Sequence, residues 1–178
     1  VVDQLIDRWR GRSVFLWVHY FDPHSAYAPP PPYDDLWDPS PSPWDGSHET
    51  HNRVIYGGVP ASDELLARNR NLYQGEVAYV DWLLGRILER LEDSNRLDET
   101  IVVVTSDHGE NLGQHPPLDH QLGLFDTLVH VPLLVRYPPV FPAGSIREDL
   151  VSLVDIPPAL LSLASGEPDR PGGPLLDG

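Results

Sequence analysis

Cysteine, methionine and lysine are all missing from this chain of 178 residues, and each absence removes a class of explanation. Without Cys there is no disulfide and no thiolate metal site, and the commonest source of a covalent nucleophile is gone. Without Met, Val1 is not a natural start, and cuts are expected at both ends. Asp3, Asp7 and Arg8 interrupt any apolar stretch at the N-terminus, so no signal peptide is legible there. If that end is a cut, the missing signal says nothing of where the protein resides. Without Lys, all twelve basic residues are Arg, set against 27 acidic ones for a net charge of −15. That balance argues against nucleic acid and anionic membranes as partners, since both need a cationic face. No stretch approaches the roughly 20 apolar residues of a membrane span. The longest apolar runs, at 14–18 and 101–104, have strand length.

What is present reads as one folded domain over 1–178, with 40% hydrophobic residues and five Trp to build a core. Residues 1–10 read as a short amphipathic helix, with Val2, Leu5, Ile6 and Trp9 on one face, ended by Gly11. Residues 13–20 form a near-continuous apolar run, the pattern of a strand buried on both faces. An irregular stretch rich in Pro, Ser, Asp and Gly follows from 21 to about 60, and Pro29 to Pro32 predict an extended polyproline segment in it. Residues 62–93 carry the clearest helical period, with Ser62 as N-cap and Asp63 and Glu64 in the first turn. Gly75 and Gly85 are candidate breaks, and Asn95 and Arg96 a turn. Strands are predicted at 100–105, 131–136 and 151–154. A last helix at 156–164 has Asp155 as its cap and Pro157 and Pro158 in its first turn. Strands alternating with helices imply an α/β sandwich with a largely parallel central sheet, whose ligands sit beyond the carboxyl ends of strands.

Two such ends carry His and Asp. The first is His19-Tyr20-Phe21-Asp22-Pro23-His24. The second runs from Thr105 through Asp107, His108, Gly109 and Glu110 to His115, with Asp119 and His120 just beyond. An adjacent Asp and His give one hard oxygen and one imidazole, which converge on a cation if the backbone turns sharply. Gly109, lacking a Cβ, permits that turn. The alternative is that Asp107 caps the turn and His108 bonds a loop carbonyl.

Residues 105–115 resemble the TSDHGExLGxH stretch of sulfatases, and 19–30 their VHxxDPHxPYxPP segment. The helix bearing Tyr73, Glu76, Val77, Tyr79, Val80 and Asp81 is similar to their YxxEVxYVD pattern. Residues 125–138 and 154–164 follow the LYD…VPLLV…P and VDxxPTLLxLA runs. The five motifs stand in family order. The resemblance implies an alkaline-phosphatase-like α/β sandwich, incomplete here, and hydrolysis of a small-molecule or glycan sulfate ester. By position it implies that Asp107 and His108 bind a divalent metal, Ca²⁺ in most of the family, although an imidazole ligand suits Zn²⁺ or Mn²⁺. It places His24 as a sulfate contact that protonates the leaving oxygen, and His120 where many sulfatases present a Lys to sulfate. His115 is carried over as a substrate contact. Glu76 and Asp81 are read as supports of the fold, and His48 and His51 as solvated loop residues.

The family's Asp-Asp pair and its C/S-x-P-x-R motif, whose Cys or Ser becomes formylglycine, are not found, so the nucleophile is expected upstream and the chain alone is expected to be inactive. Two rivals stay open. In a phosphodiesterase or phosphoethanolamine transferase of the same superfamily, Asp107, His108 and His120 would all hold Zn²⁺. In a non-catalytic module, Tyr27, Tyr33, Trp37 and Trp44 would bind a sugar or a protein.

Overall fold

The computed structural model describes residues 6, 8, 9, 11–38, 40, 42, 44–58, 60–115 and 118–166. The chain forms two compact units, one from Val1–Leu97 and His108–Val131, the other from Asp98–Asp107 and Pro132–Gly178. The helix predicted at 1–10 lies mostly outside the described residues.

The first unit is organised by two helices. Helix α1, His48–Ile55, begins at Ser47, whose hydroxyl accepts from the Thr50 N–H at 3.3 Å. Helix α2 is Asp63–Asp93, 31 residues without a break. Its N-cap is Ser62, accepting from the Leu65 N–H at 3.2 Å, and Asp63 and Glu64 oppose the positive end of the helix dipole. It ends in a Schellman turn. Asn95 takes a left-handed φ of 54°, with Arg96 N–H donating to Leu91 O and Asn95 N–H to Glu92 O, both at 2.8 Å.

Neither glycine breaks α2. Gly75 is there for packing: a Cβ on it would lie 2.4 Å from Tyr33 O and 2.8 Å from a Pro29 side-chain carbon. The proline-rich segment therefore lies directly on the helix, and it turns there, with Tyr33 N–H bonded to Pro30 O at 2.8 Å and a 3₁₀ turn at Tyr33–Asp35. The polyproline segment is thus folded back at its end, not extended throughout. A single turn of helix, α3, spans Asp126–Val129.

The second unit holds strands β1, Val102–Thr105, and β2, Leu133–Arg136. They pair antiparallel, Val102 opposite Arg136 and Thr105 opposite Leu133. Thr105 Oγ1 donates to Pro132 O at 2.8 Å, just before the ladder, where a proline costs no hydrogen bond. Helix α4, Ile156–Ser165, is stopped by Gly166 at φ 68°.

Three expectations fail. The sheet is not parallel: among the described residues it is this two-stranded antiparallel pair. The run 13–20 is no buried strand. Phe15 is 77% and Trp17 72% exposed, and no described strand pairs with the run. Apolar sequence marks a segment suited to a sheet interior, but a strand exists only when a neighbour takes its backbone hydrogen bonds. At 151–154 a 3₁₀ turn, Leu153–Asp155, replaces the strand. There Asp155 accepts from the Ser152 N–H at 3.2 Å in a capping box, so it closes this turn and makes no side-chain cap to α4.

Candidate functional site

His24 leaves the first unit's long irregular segment, and α2 fixes where it sits. Glu76, beside Gly75 and 2% exposed, accepts from the Ala28 N–H at 2.7 Å, and the nearby His24 backbone also favours its charged form. It supports the fold, as its place in the helix suggested, whereas Asp81 faces solvent. The His24 ring is oriented by Nδ1 on the Ser25 carbonyl at 2.7 Å, with the Phe21 ring 4.6 Å away.

Burial lifts the Glu76 carboxyl to about 7, helped by the negative charge of Asp22 and opposed by the Ala28 and His24 backbone. A carboxyl raised on folding stabilises the native state below its unfolded value and loses that contribution as pH rises through the folded one. Between about 4.5 and about 7 the wild type should therefore lose stability relative to Glu76→Gln, by on the order of 2–3 kcal/mol. Denaturant melts of both proteins across that window measure the difference, and parallel curves would contradict the assignment.

The stretches 108–115 and 118–120 each bring a further histidine to the site. His108 sets its Nδ1 on the Gly109 carbonyl at 2.9 Å. Gly109 N–H donates to Leu128 O at 2.8 Å, and a Cβ at Gly109 would fall 2.1 Å from Thr127 O. Glycine is required for this close approach to α3; its φ is not among the positive values, so the turn itself does not require it. Asn111, 1% exposed, holds the loop together. Its side-chain oxygen accepts from Thr127 Oγ1 at 2.9 Å and its carbonyl from the Asp119 N–H at 3.1 Å.

Asp119 takes a φ of 85°, a left-handed conformation that Asp tolerates better than most residues. This turns its carboxylate back on its neighbour: Oδ1 accepts from the His120 N–H at 2.6 Å and lies 2.7 Å from His120 Nδ1. Glu110 Oε2 reaches the same nitrogen at 3.1 Å. Both carboxylates are 5% exposed.

Three imidazoles thus come together from separate stretches of sequence. The His108 and His120 rings stack at 4.1 Å, and His24 meets them edge-on at 6.3 and 5.0 Å. One nitrogen from each lies within 4.8 Å of the others. His115 does not join them: it is exposed and stacks on Phe125 at 4.1 Å. Asp107 is exposed beyond the end of β1 in the second unit. His19 and His48 are exposed.

His51 is not solvated, as the polar, irregular look of its surroundings suggested. It is 5% exposed, with Nε2 3.5 Å from Asp119 Oδ2 and the Tyr27 ring edge-on at 6.0 Å. Desolvation holds its pKa below the usual imidazole value despite the nearby Asp119 and Glu110 carboxylates. Tyr27, 1% exposed, is raised well above the usual phenol value by burial and by Glu110. Sequence reasoning missed this buried layer because α1 was not foreseen; the Ser47 cap and Glu49 in its first turn were the available signals.

A family model described as Sulfatase matches residues 1–166. Arylsulfatase K of Xenopus laevis is 32% identical over 157 residues, covering 86% of this chain and 28% of that relative. Among solved structures, a phosphonate monoester hydrolase from Silicibacter pomeroyi aligns with a TM-score of 0.75 and 25% identity, over 92% of this chain and 37% of its own. A structure in complex with its substrate D-glucosamine-2-N,6-O-disulfate aligns with a TM-score of 0.54 and 30% identity, over 68% and 26%. The chain spans well under half the length of each.

Proposed function

We propose, from the premise that this chain belongs to the sulfatase family, that it supplies the oxyanion-binding and proton-donating half of a sulfate-ester hydrolase site. The observation that carries this is the convergence of His24, His108 and His120 within 4.8 Å. Sulfatases generally use a divalent metal, and here the consecutive residues Asp107 and His108 would hold it. The fit is chemical. His108 Nδ1 rests on a backbone carbonyl, the tether that metal-bound imidazoles characteristically use, and Asp107 adds a hard oxygen. Family habit points to Ca²⁺, and the imidazole admits Zn²⁺ or Mn²⁺. When bound, the cation supplies Lewis-acid stabilisation of the ester oxygens.

The chain's own residues do the rest. With Nδ1 held by the Ser25 carbonyl, His24 presents Nε2 as the atom that hands a proton to the departing alcohol. His120, with Nδ1–H directed at two carboxylates, donates from Nε2 to an ester oxygen when both its nitrogens carry hydrogen. His115, stacked on Phe125, is retained as a substrate contact. Sulfated sugars and aryl sulfates are the substrate class, on the strength of what the matched relatives are named for. With no Cys in the chain and no Ser in a C/S-x-P-x-R run, a formylglycine nucleophile would come from outside these 178 residues.

The similarity to a phosphonate monoester hydrolase favours a second reading, in which the same site works on a phosphorus ester. The intact gene product assayed on 4-nitrophenyl sulfate and on a phenyl phosphonate ester separates the two, and turnover of neither ends both. Calorimetric titration with Ca²⁺, Zn²⁺ and Mn²⁺ is expected to show one tight divalent site in that protein, weakened at least 10-fold by Asp107→Ala. Unchanged affinity would remove Asp107 from the metal.

A further inference from the structure

We infer that Asp119, backed by His51 from α1, is the positioning residue that fixes the His120 ring at the oxyanion end of the site. The inference rests on the proposed role of His120 as an oxyanion contact. His120 stands where many sulfatases present a lysine. A lysine ammonium is a point charge on a long flexible stem and finds its partner by bending. An imidazole has two side-chain torsions and donates along fixed directions, so its mount decides whether it points at the substrate.

The structure contains such a mount. One oxygen, Asp119 Oδ1, holds both the backbone N–H of His120 at 2.6 Å and its ring Nδ1 at 2.7 Å. A single carboxylate oxygen thereby fixes the ring relative to its own main chain. This is possible because Asp119 sits at φ 85°, which folds its side chain back over the next peptide. The second oxygen, Oδ2, is held by Gln121 Nε2 at 3.0 Å and faces His51 Nε2 at 3.5 Å.

His51 faces that oxygen from α1. It is buried, and neither of its nitrogens has a hydrogen-bond partner among the described residues. An imidazole without such a partner is costly to bury, and the polar group its Nε2 faces is the Asp119 carboxylate. The Tyr27 ring meets the His51 ring edge-on at 6.0 Å. Tyr27 is itself held by its N–H on Gly46 O at 3.1 Å, and Gly46 is packed so closely that a Cβ would fall 2.3 Å from Tyr27 O. Through this 3.5 Å approach to Asp119, His51 sets α1 behind the ring proposed to meet the substrate. Glu110 steadies the same nitrogen from a second direction.

The test uses the intact protein labelled with ¹⁵N-histidine, and two readouts. Long-range ¹H–¹⁵N spectra should show His120 Nδ1 held protonated throughout, with Nε2 taking the second hydrogen when sulfate binds. Asp119→Ala should release the ring to average between tautomers, and Asp119→Asn, which keeps an acceptor oxygen, should restore the lock. Inorganic sulfate affinity is the second readout. Asp119→Ala is expected to weaken it about 10-fold and His51→Phe, which keeps the packing volume, about 3-fold. Both effects should vanish in a His120→Ala background, because residues acting through one ring are not additive. An unperturbed His120 signature in Asp119→Ala overturns the inference, as do losses that persist in full without His120. A locked ring in a protein that binds no sulfate upholds the positioning and sinks the oxyanion role of His120 instead.

Discussion

Replacing His24 by alanine in the intact protein is expected to lower kcat/KM for sulfate-ester hydrolysis by about 10²–10⁴-fold, the usual worth of a positioned proton donor. The loss should not be uniform. A departing phenolate of low basicity needs little help, so the deficit should shrink along a series of aryl sulfates as the phenol becomes more acidic. An equal loss at every leaving group would remove His24 from proton donation and leave it a sulfate contact. Glu76→Gln offers a matched comparison. It keeps an acceptor for the Ala28 N–H and leaves the ring itself intact, so it should cost far less turnover than loss of the imidazole.

A second large effect is expected at Gly109. The three atoms nearest a Cβ there, Thr127 O at 2.1 Å, Thr127 C at 3.1 Å and Leu128 Cα at 3.3 Å, are all backbone. No rotamer change can relieve that overlap. Gly109→Ala must push the loop off α3, breaking the 2.8 Å bond from Gly109 N–H to Leu128 O and shifting the carbonyl that orients His108. Overpacking of this kind costs about 1–3 kcal/mol, read as a lower denaturant midpoint, and the divalent-metal affinity should fall with it. Gly85→Ala is the control. Nothing lies within 4 Å of a Cβ there, and alanine favours a helix interior by up to about 1 kcal/mol over glycine. A Gly109→Ala protein as stable as wild type would mean that the loop has a second seat.

Local rules reached the helices and stopped at the sheet. Helix α2 was legible from Ser62 to the Asn95 turn because capping chemistry and a 3.6-residue period are written in neighbouring residues. Strand positions β1 and β2 were legible for the same reason, but their antiparallel pairing was not. Pairing joins residues some thirty positions apart, and alternation with helices suggested the opposite sense. The run at 13–20 shows the same limit, since its composition announces a sheet interior that the described residues do not provide.

At the site, the individual histidines stood out through their motifs. Their convergence, and the buried layer behind His120, did not. That layer depends on one backbone angle at Asp119 and on a helix whose sequence, from His48 to Ile55, is mostly polar.

Gly75 admits the proline segment against the axis of α2, and Glu76, one residue on, grips the Ala28 peptide four residues after His24. Successive residues on a helix are rotated by about 100°, so the clearance and the grip face their targets only at one phase. Length can drift at the far end near Asp93, where the helix merely runs out into its cap. A single inserted residue just ahead of Gly75 would swing both away together, leaving the helix whole and the histidine unmoored.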